Sequence, residues 1–360
     1  MDFETIVENV SWATVEGDTR TDRRGRDVAV VVAKVAYRVS AQGDVRHVLA
    51  PIRRFDVRDA AGGIWFPADF TADPKPGTDV GLVGTAAPPP RASGRTHAYA
   101  WLSAGALRKV IHIHGPRVYV KTWRGVAPSE PAPLVEPVPL RYDLAYGGKD
   151  PTTGASEPHN PLGIGFCANP ARLVGAPAPP LEPAAPEAGA APHPSHATFA
   201  PIPPQWEPRR SFIGTHDEEW AKNRAPVRPR DFDPRHHNWS PPGLHAATPL
   251  LGDEPIEVGG VLPEGVWRFQ LPSYSVRFES TIAGQTGPHD THLDSLHIDA
   301  ESRTVELCWR ACLALPKKWE HVERIRVLGV GKLPEEVIRG RRPSGEEPVR
   351  PPPSREARRP

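Results

Sequence analysis

Period-two alternation and β-branched runs dominate the chain, and helical periodicity is scarce. Strand-like pattern runs over residues 3–15 and 27–40, the second containing the long run VAVVVAKVAYRV, with GDTRTDRRGR as a polar turn between them. Gln42-Gly43-Asp44 marks a turn before Val45–Leu49, so these three pieces predict an antiparallel meander. The apolar strand VGLVG follows DPKPGTD (73–79), whose two prolines and glycine impose a fixed turn, with Lys75 placed between Asp73 and Asp79 for a local ion pair. HAYAWLS, LRKVIHIHG and RVYVKTW predict three more strands, separated by Gly105 and by Gly115-Pro116. Beyond Glu254 strands resume at GVWRFQLP, YSVRFES, HLDSLHID and TVELCWRACLAL, and Lys332–Ile338 is the one modest helix candidate. The fold class expected is all-β: one large antiparallel, sandwich-like domain over residues 1–340, with long ordered coil and very little helix.

That coil covers residues 139–254, and its centre is 199–254, which has neither strand nor helix period. It is no flexible linker. Trp206, Trp220, Trp239, Phe212 and Phe232 stand among its prolines, and a segment that rich in aromatics has surface to bury against the cost of ordering. Glycine pairs in PLRYDLAYGG (139–148) and NPLGIGF (160–166) invite a phosphate-loop reading. No strand leads into them, no helix follows, and no GK[ST] is present, so they predict tight turns pinned by Tyr142, Tyr146 and Phe166. Residues 174–198 read as an Ala/Pro-rich insertion in extended coil, and 341–360 as a disordered Pro/Arg-rich tail.

Charge narrows the function classes. Lys and Arg number 44 against 43 Asp and Glu, a net charge of +1 that disfavours a nucleic-acid footprint. No run of about 18 apolar residues marks a membrane span. The opening MDFETIVENVSW carries acids where a signal peptide needs a basic head, which predicts a cytoplasmic protein. Three cysteines suit a reducing compartment. Cys308 and Cys312 share one strand face roughly 13 Å apart at about 3.3 Å per residue, too far for a disulfide.

The densest set of donors and bases is His216, Asp217, Asp231, Asp233, His236 and His237. Imidazole and carboxylate are common transition-metal ligands, so a metal-dependent hydrolase is one reading of this cluster. The competing reading is structural, with Asp231 and Asp233 accepting backbone N–H bonds and pairing with Arg230 or Arg235. His112 and His114 also share a strand face. Arg141, Arg310 and Asp253-Glu254 predict salt links that tie coil to sheet. Trp206, Trp220 and Trp239 are either core plugs or, with Arg209 and Arg224, anchors for a partner; a carbohydrate-binding module using the indoles is a further alternative. No catalytic residue, metal or cofactor is assigned.

The order of DPKPGTD, PLRYDLAYGG, NPLGIGF, FAPIPPQWEPR (199–209), GTHDEEW (214–220), RPRDFDPRHHN (228–238), PLLGDE (249–254), LDSLHID (293–299) and CWRA (308–311) resembles the bacterial family catalogued as domain of unknown function 2169. The resemblance spans roughly residues 3–315. It implies a non-enzymatic adaptor or chaperone, associated with type VI secretion, that loads a secreted effector onto a VgrG or PAAR spike protein. It carries over no catalytic residues. The chain lacks the pentapeptide repeat of some larger members. Its Pro241-Pro242-Gly243-Leu244 stands where a Pro-Pro-Asp-Gln-like turn is expected, and the insertion at 174–198 looks peculiar to it.

Overall fold

Thirteen residues, DVAVVVAKVAYRV, form β2 (Asp27–Val39), and nearly all of them are buried. β-branched side chains suit a strand packed on both faces, and β2 is central in its sheet for that reason. The computed structural model describes residues 6–90, 93–184, 194–289, 291–315 and 321–331. The helix expected at Lys332–Ile338, the tail at 341–360 and residues 185–193 of the insertion lie outside them. Among the described residues no helix is long and apolar enough to cross a membrane.

The large sheet comprises β1 (Thr14–Thr21), β2, β3 (Val45–Val48), β4 (Thr78–Val83), β8 (His245–Ala246), β13 (Leu293–Asp299) and β14 (Thr304–Ala314). Its order is β1-β2-β14-β13-β4-β8, with β3 also on β2. Pairing is antiparallel except between β13 and β4, where Ser295 lies opposite Asp79 in a parallel ladder. A second sheet, in the order β7-β6-β5-β9-β10, contains β5 (His97–Ala104), β6 (Leu107–His114), β7 (Leu181–Pro183), β9 (Pro255–Leu262) and β10 (Gly265–Gln270). A third has β11 (Tyr274–Ile282) between β12 (Gln285–His289) and β15 (Val322–Gly331).

One apolar cluster joins all three. The inner face of the large sheet presents Val31, Ala33, Val35 and Tyr37 from β2 and Leu307, Trp309 and Leu313 from β14. It packs against Leu102, Ile111 and Trp267 of the second sheet and Val276, Phe278 and Ile325 of the third. Each such side chain contributes about 1.5–3 kcal/mol of burial, so this sandwich core carries most of the apolar stabilisation.

The expected strands at VGLVG, HAYAWLS, LRKVIHIHG, YSVRFES, HLDSLHID and TVELCWRACLAL are all present. The opening differs. β1 runs through Gly17–Thr21, part of the stretch read as a turn, and the turn itself is confined to residues 22–26. Asp22 closes it by accepting from the backbone N–H groups of Arg24 and Arg26 at 2.8 and 2.9 Å. Polar residues are tolerated in β1 because it is an edge strand with one solvated face. The described residues of the 139–254 coil form short bridges, 3₁₀ turns and one helix, α1 (Glu218–Asn223), which the sequence pattern did not indicate.

Candidate functional site

The outer face of the large sheet is polar and yet buried. Strand alternation sends Leu307, Trp309 and Ala311 of β14 inward, and so sends Glu306, Cys308, Arg310 and Cys312 outward. In the same layer stand Lys34 of β2, paired in register with Cys308, Asp79 of β4, and Asp294 and His297 of β13. Two irregular segments cover them. Ile52 and Phe70 pack on Val28, Val30, Val32 and Cys308, while Trp239 lies against Gly81. A Cβ at Gly81 would sit 2.5 Å from Trp239 Cζ3, so only glycine admits the indole there.

Charges inside this layer are matched. Lys34 Nζ lies 2.6 Å from Asp69 and 3.2 Å from Glu306. Arg53 grips Glu306 through both guanidinium nitrogens at 2.6 and 2.9 Å and stacks 3.8 Å over Phe66. Arg310 reaches Asp294 at 3.1 Å, Thr71 Oγ1 at 2.6 Å and the Asp69 carbonyl. Lys75, 1% exposed at its side chain, bridges Asp79 at 2.7 Å and Asp294 at 3.2 Å. Asp79 also accepts from the Trp239 N–H at 2.8 Å and from the Ser240 hydroxyl. The expected Lys75–Asp79 pair therefore forms. Asp73 turns instead to His237 Nε2 at 3.7 Å and to the Arg23 N–H at 3.1 Å.

The ionisation states follow from these contacts. Burial raises the carboxyls of Asp79 and Glu306, but their cations outweigh it: Lys75 with His245 holds Asp79 well below the carboxylate range, and Arg53 with Lys34 holds Glu306 at about 2. Burial pushes His297 and His237 down to about 4, so both rings are neutral at physiological pH. Burial likewise pushes the Cys308 and Cys312 thiols up to about 12. A buried ion pair that loses a partner leaves a charge without compensation, and this layer therefore dictates which segments cover the sheet.

The six residues singled out between 216 and 237 do not come together. Among the described residues no group of three or more His, Cys, Asp or Glu side chains is placed to hold a metal ion. Asp217 caps α1 by accepting from Trp220 N at 2.8 Å, and His216 packs edge-on to Trp220 at 4.4 Å. Asp231 accepts from the Thr215 N–H and hydroxyl at 3.0 and 2.7 Å. Asp233 pairs with Arg235 at 2.6 Å, and His236 Nδ1 lies 2.9 Å from the Arg209 carbonyl. Each holds a turn, and His237 alone joins the ionic layer.

The indoles divide in the same way. Trp206 and Trp239 are each 4% exposed, Trp206 packing edge-on to Tyr142 at 5.1 Å, so neither faces solvent as a sugar platform or partner anchor. Trp220 is half-buried, its Nε1 donating to the Val227 carbonyl at 2.8 Å. Arg209 donates to the carbonyls of His236 and Ile202, and Arg224 to those of Arg23 and Arg228, so both arginines tie coil to coil. Arg310 ties coil to sheet by hydrogen bonds to the Asp69 carbonyl and Thr71, while its salt link runs to Asp294 within the sheet. Arg141 pairs locally with Asp143 at 2.9 Å, and Glu254 accepts from the Leu251 and Gly252 N–H groups.

Sequence reading missed the partners inside the layer: Lys34, Arg53, Asp69, Asp294, His297 and Glu306. A lysine inside VAVVVAKVAYRV was the available signal, because a charge in a strand of that composition must meet a counter-charge. It also missed the large apolar side chains held in solvent: Trp123 is 87% exposed, Phe55 82% and Leu251 74%.

A family model described as an uncharacterized protein conserved in bacteria, domain of unknown function 2169, matches residues 24–310. No curated protein and no solved structure matches the chain.

Proposed function

The chain belongs to the domain of unknown function 2169 family, and on that premise we propose that it is a non-enzymatic cytoplasmic adaptor that binds a secreted effector and helps load it onto the VgrG or PAAR spike of a type VI secretion system. The motif resemblance supplies the type VI context. The observation that carries the adaptor reading is Trp123, 87% exposed on a β-hairpin tip between Tyr119–Thr122 and Gly125–Pro128. Tryptophan is among the residues that most often become hot spots once a partner covers them. Family motifs meet in the ionic layer, where DPKPGTD supplies Asp73, Lys75 and Asp79, RPRDFDPRHHN supplies His237, LDSLHID supplies Asp294, and CWRA supplies Arg310. In this reading the layer is the rigid base on which a binding surface is displayed.

The test is co-expression with the proteins encoded beside it, followed by size-exclusion chromatography with light scattering and metal analysis on the same peak. A complex of defined mass is expected, with Trp123→Ala weakening it by about 30-fold or more at unchanged Tm. A lone monomer carrying stoichiometric zinc or manganese would overturn the adaptor and restore the metal-dependent hydrolase.

A further inference from the structure

Beside the two glycine turns opens a concavity of about 370 Å³. Its floor and walls include Ile164, Phe166, Leu173 and Pro177; among the described residues its charged lining is Lys149 and Arg172 with no Asp or Glu, and the nearby Asp150 carboxylate is buried and takes the Ala168 N–H. Glycines make up much of its lining. Gly148 and Gly165 have φ of +103° and +95°, and Cβ atoms there would meet the Gly163 carbonyl and the Tyr119 hydroxyl. Bare backbone thus forms one wall.

The lining segment at Ala176-Pro177 is hydrogen-bonded to the root of the hairpin that carries Trp123. Gly175 N donates to the Tyr119 carbonyl at 2.8 Å, Tyr119 N to the Ala176 carbonyl at 2.9 Å, and Ala178 N to the Arg117 carbonyl at 3.0 Å. Val174, next to the cavity residue Leu173, is 49% exposed, and Val118 at the hairpin root is 43% exposed. At the tip the Arg124 guanidinium lies 4.2 Å over the Trp123 ring. Cavity, exposed valines and indole form one backbone-linked unit with basic groups at both ends.

We propose that this unit is a docking surface for an acidic peptide segment of a partner protein, with a bulky apolar side chain entering the cavity and flanking carboxylates meeting Lys149 and Arg172. The proposal rests on the adaptor reading for the existence of a partner and adds the chemistry of what that partner presents. Charge complementarity selects the occupant, because a cavity lined by two cations and no acid favours an anionic segment. It disfavours the chain's own residues 341–360, which carry six Arg against three Glu.

Random dodecapeptides displayed on phage are selected on the purified full chain, and the enriched sequences are remade with fluorescein for anisotropy titration. The variants are Lys149→Glu, Arg172→Glu and Trp123→Ala, with Arg46→Glu, an exposed arginine on β3 of the large sheet, as a charge-matched control. Enrichment of acidic peptides bearing an apolar residue is expected, with each charge reversal at the cavity weakening Kd by about tenfold and Arg46→Glu leaving it unchanged. Failure to enrich acidic peptides, or equal binding to Lys149→Glu and Arg172→Glu, overturns the proposal. The two readings separate cleanly. A complex with neighbouring proteins that survives both cavity reversals removes this surface and keeps the adaptor, whereas acidic-peptide binding by a chain that captures no neighbour keeps the surface and removes the adaptor.

Discussion

The two faces of the large sheet are built from the same strands and held by opposite means. Inward, Val31, Val35, Leu307 and Trp309 contribute through burial alone and tolerate many partners of suitable volume. Outward, Lys34, Glu306 and Arg310 are just as hidden, but each requires counter-charges at fixed places. The inner face stabilises the sandwich. The outer face selects, from a long irregular chain, the segments that lie against it.

Removing one side chain from each face is the strongest way to break this comparison. Trp309→Ala and Arg310→Met are each expected to cost about 3–5 kcal/mol in urea unfolding. The difference lies in rescue. Arg310→Met with Asp294→Leu recovers part of the loss, because the carboxylate left with Lys75 alone is removed and Lys75 keeps Asp79, while a second truncation beside Trp309 adds to the damage. A double variant as unstable as the sum of its singles would show that the charges stabilise in their own right.

Acidity and alkalinity should distinguish the faces next. His297 is held at about 4 against an ordinary 6.5, so the unfolded chain takes up its proton first. Its contribution, on the order of 3 kcal/mol, is present above pH 6.5 and lost as pH falls toward 4. Glu306, held at about 2, adds a loss that begins below about pH 4.5. The inner face titrates in the other direction. Burial raises the hydroxyls of Tyr37 and Tyr274, so their contribution is present below pH 10 and declines as pH rises beyond it. A Tm profile from pH 3 to 11 measures both arms, and His297→Phe is expected to reduce the slope between pH 6.5 and 4, the part that remains coming from groups such as His237.

The smallest effect falls outside both faces. Asp217→Ala removes the cap of α1 and is expected to cost about 1 kcal/mol by urea unfolding, without altering metal content. A larger loss would give the 216–237 segment a role beyond holding turns.

Where one strand face met the common core, the sequence was legible. The runs that became β2, β4, β6, β13 and β14 could be read directly from β-branched and alternating residues. β9 was not, because PIEVGGVL carries two glycines that interrupt its strand pattern. In the structure Gly259 lies under the Trp101 ring, and Gly260, at φ +74°, occupies an irregularity between Val258 and Leu262. The ionic layer was least legible, since Lys34 and Glu306 are 272 residues apart and nothing local to either names the other. The 216–237 cluster was over-read for a related reason: closeness in sequence of Asp and His does not make side chains converge when each is committed to its own turn.

The thiols provide an internal gauge of these states. Cys308 is buried beside Arg310, and half-buried Cys312 has its thiol pushed up to about 12, whereas half-buried Cys167 lines the glycine-turn cavity. Brief maleimide treatment of the native chain is therefore directed to one sulfur of three. A dye placed there, with no engineered residue, sits in the wall of the cavity where an arriving segment would change its emission, and later labelling of the other two cysteines would time the opening of the ionic layer.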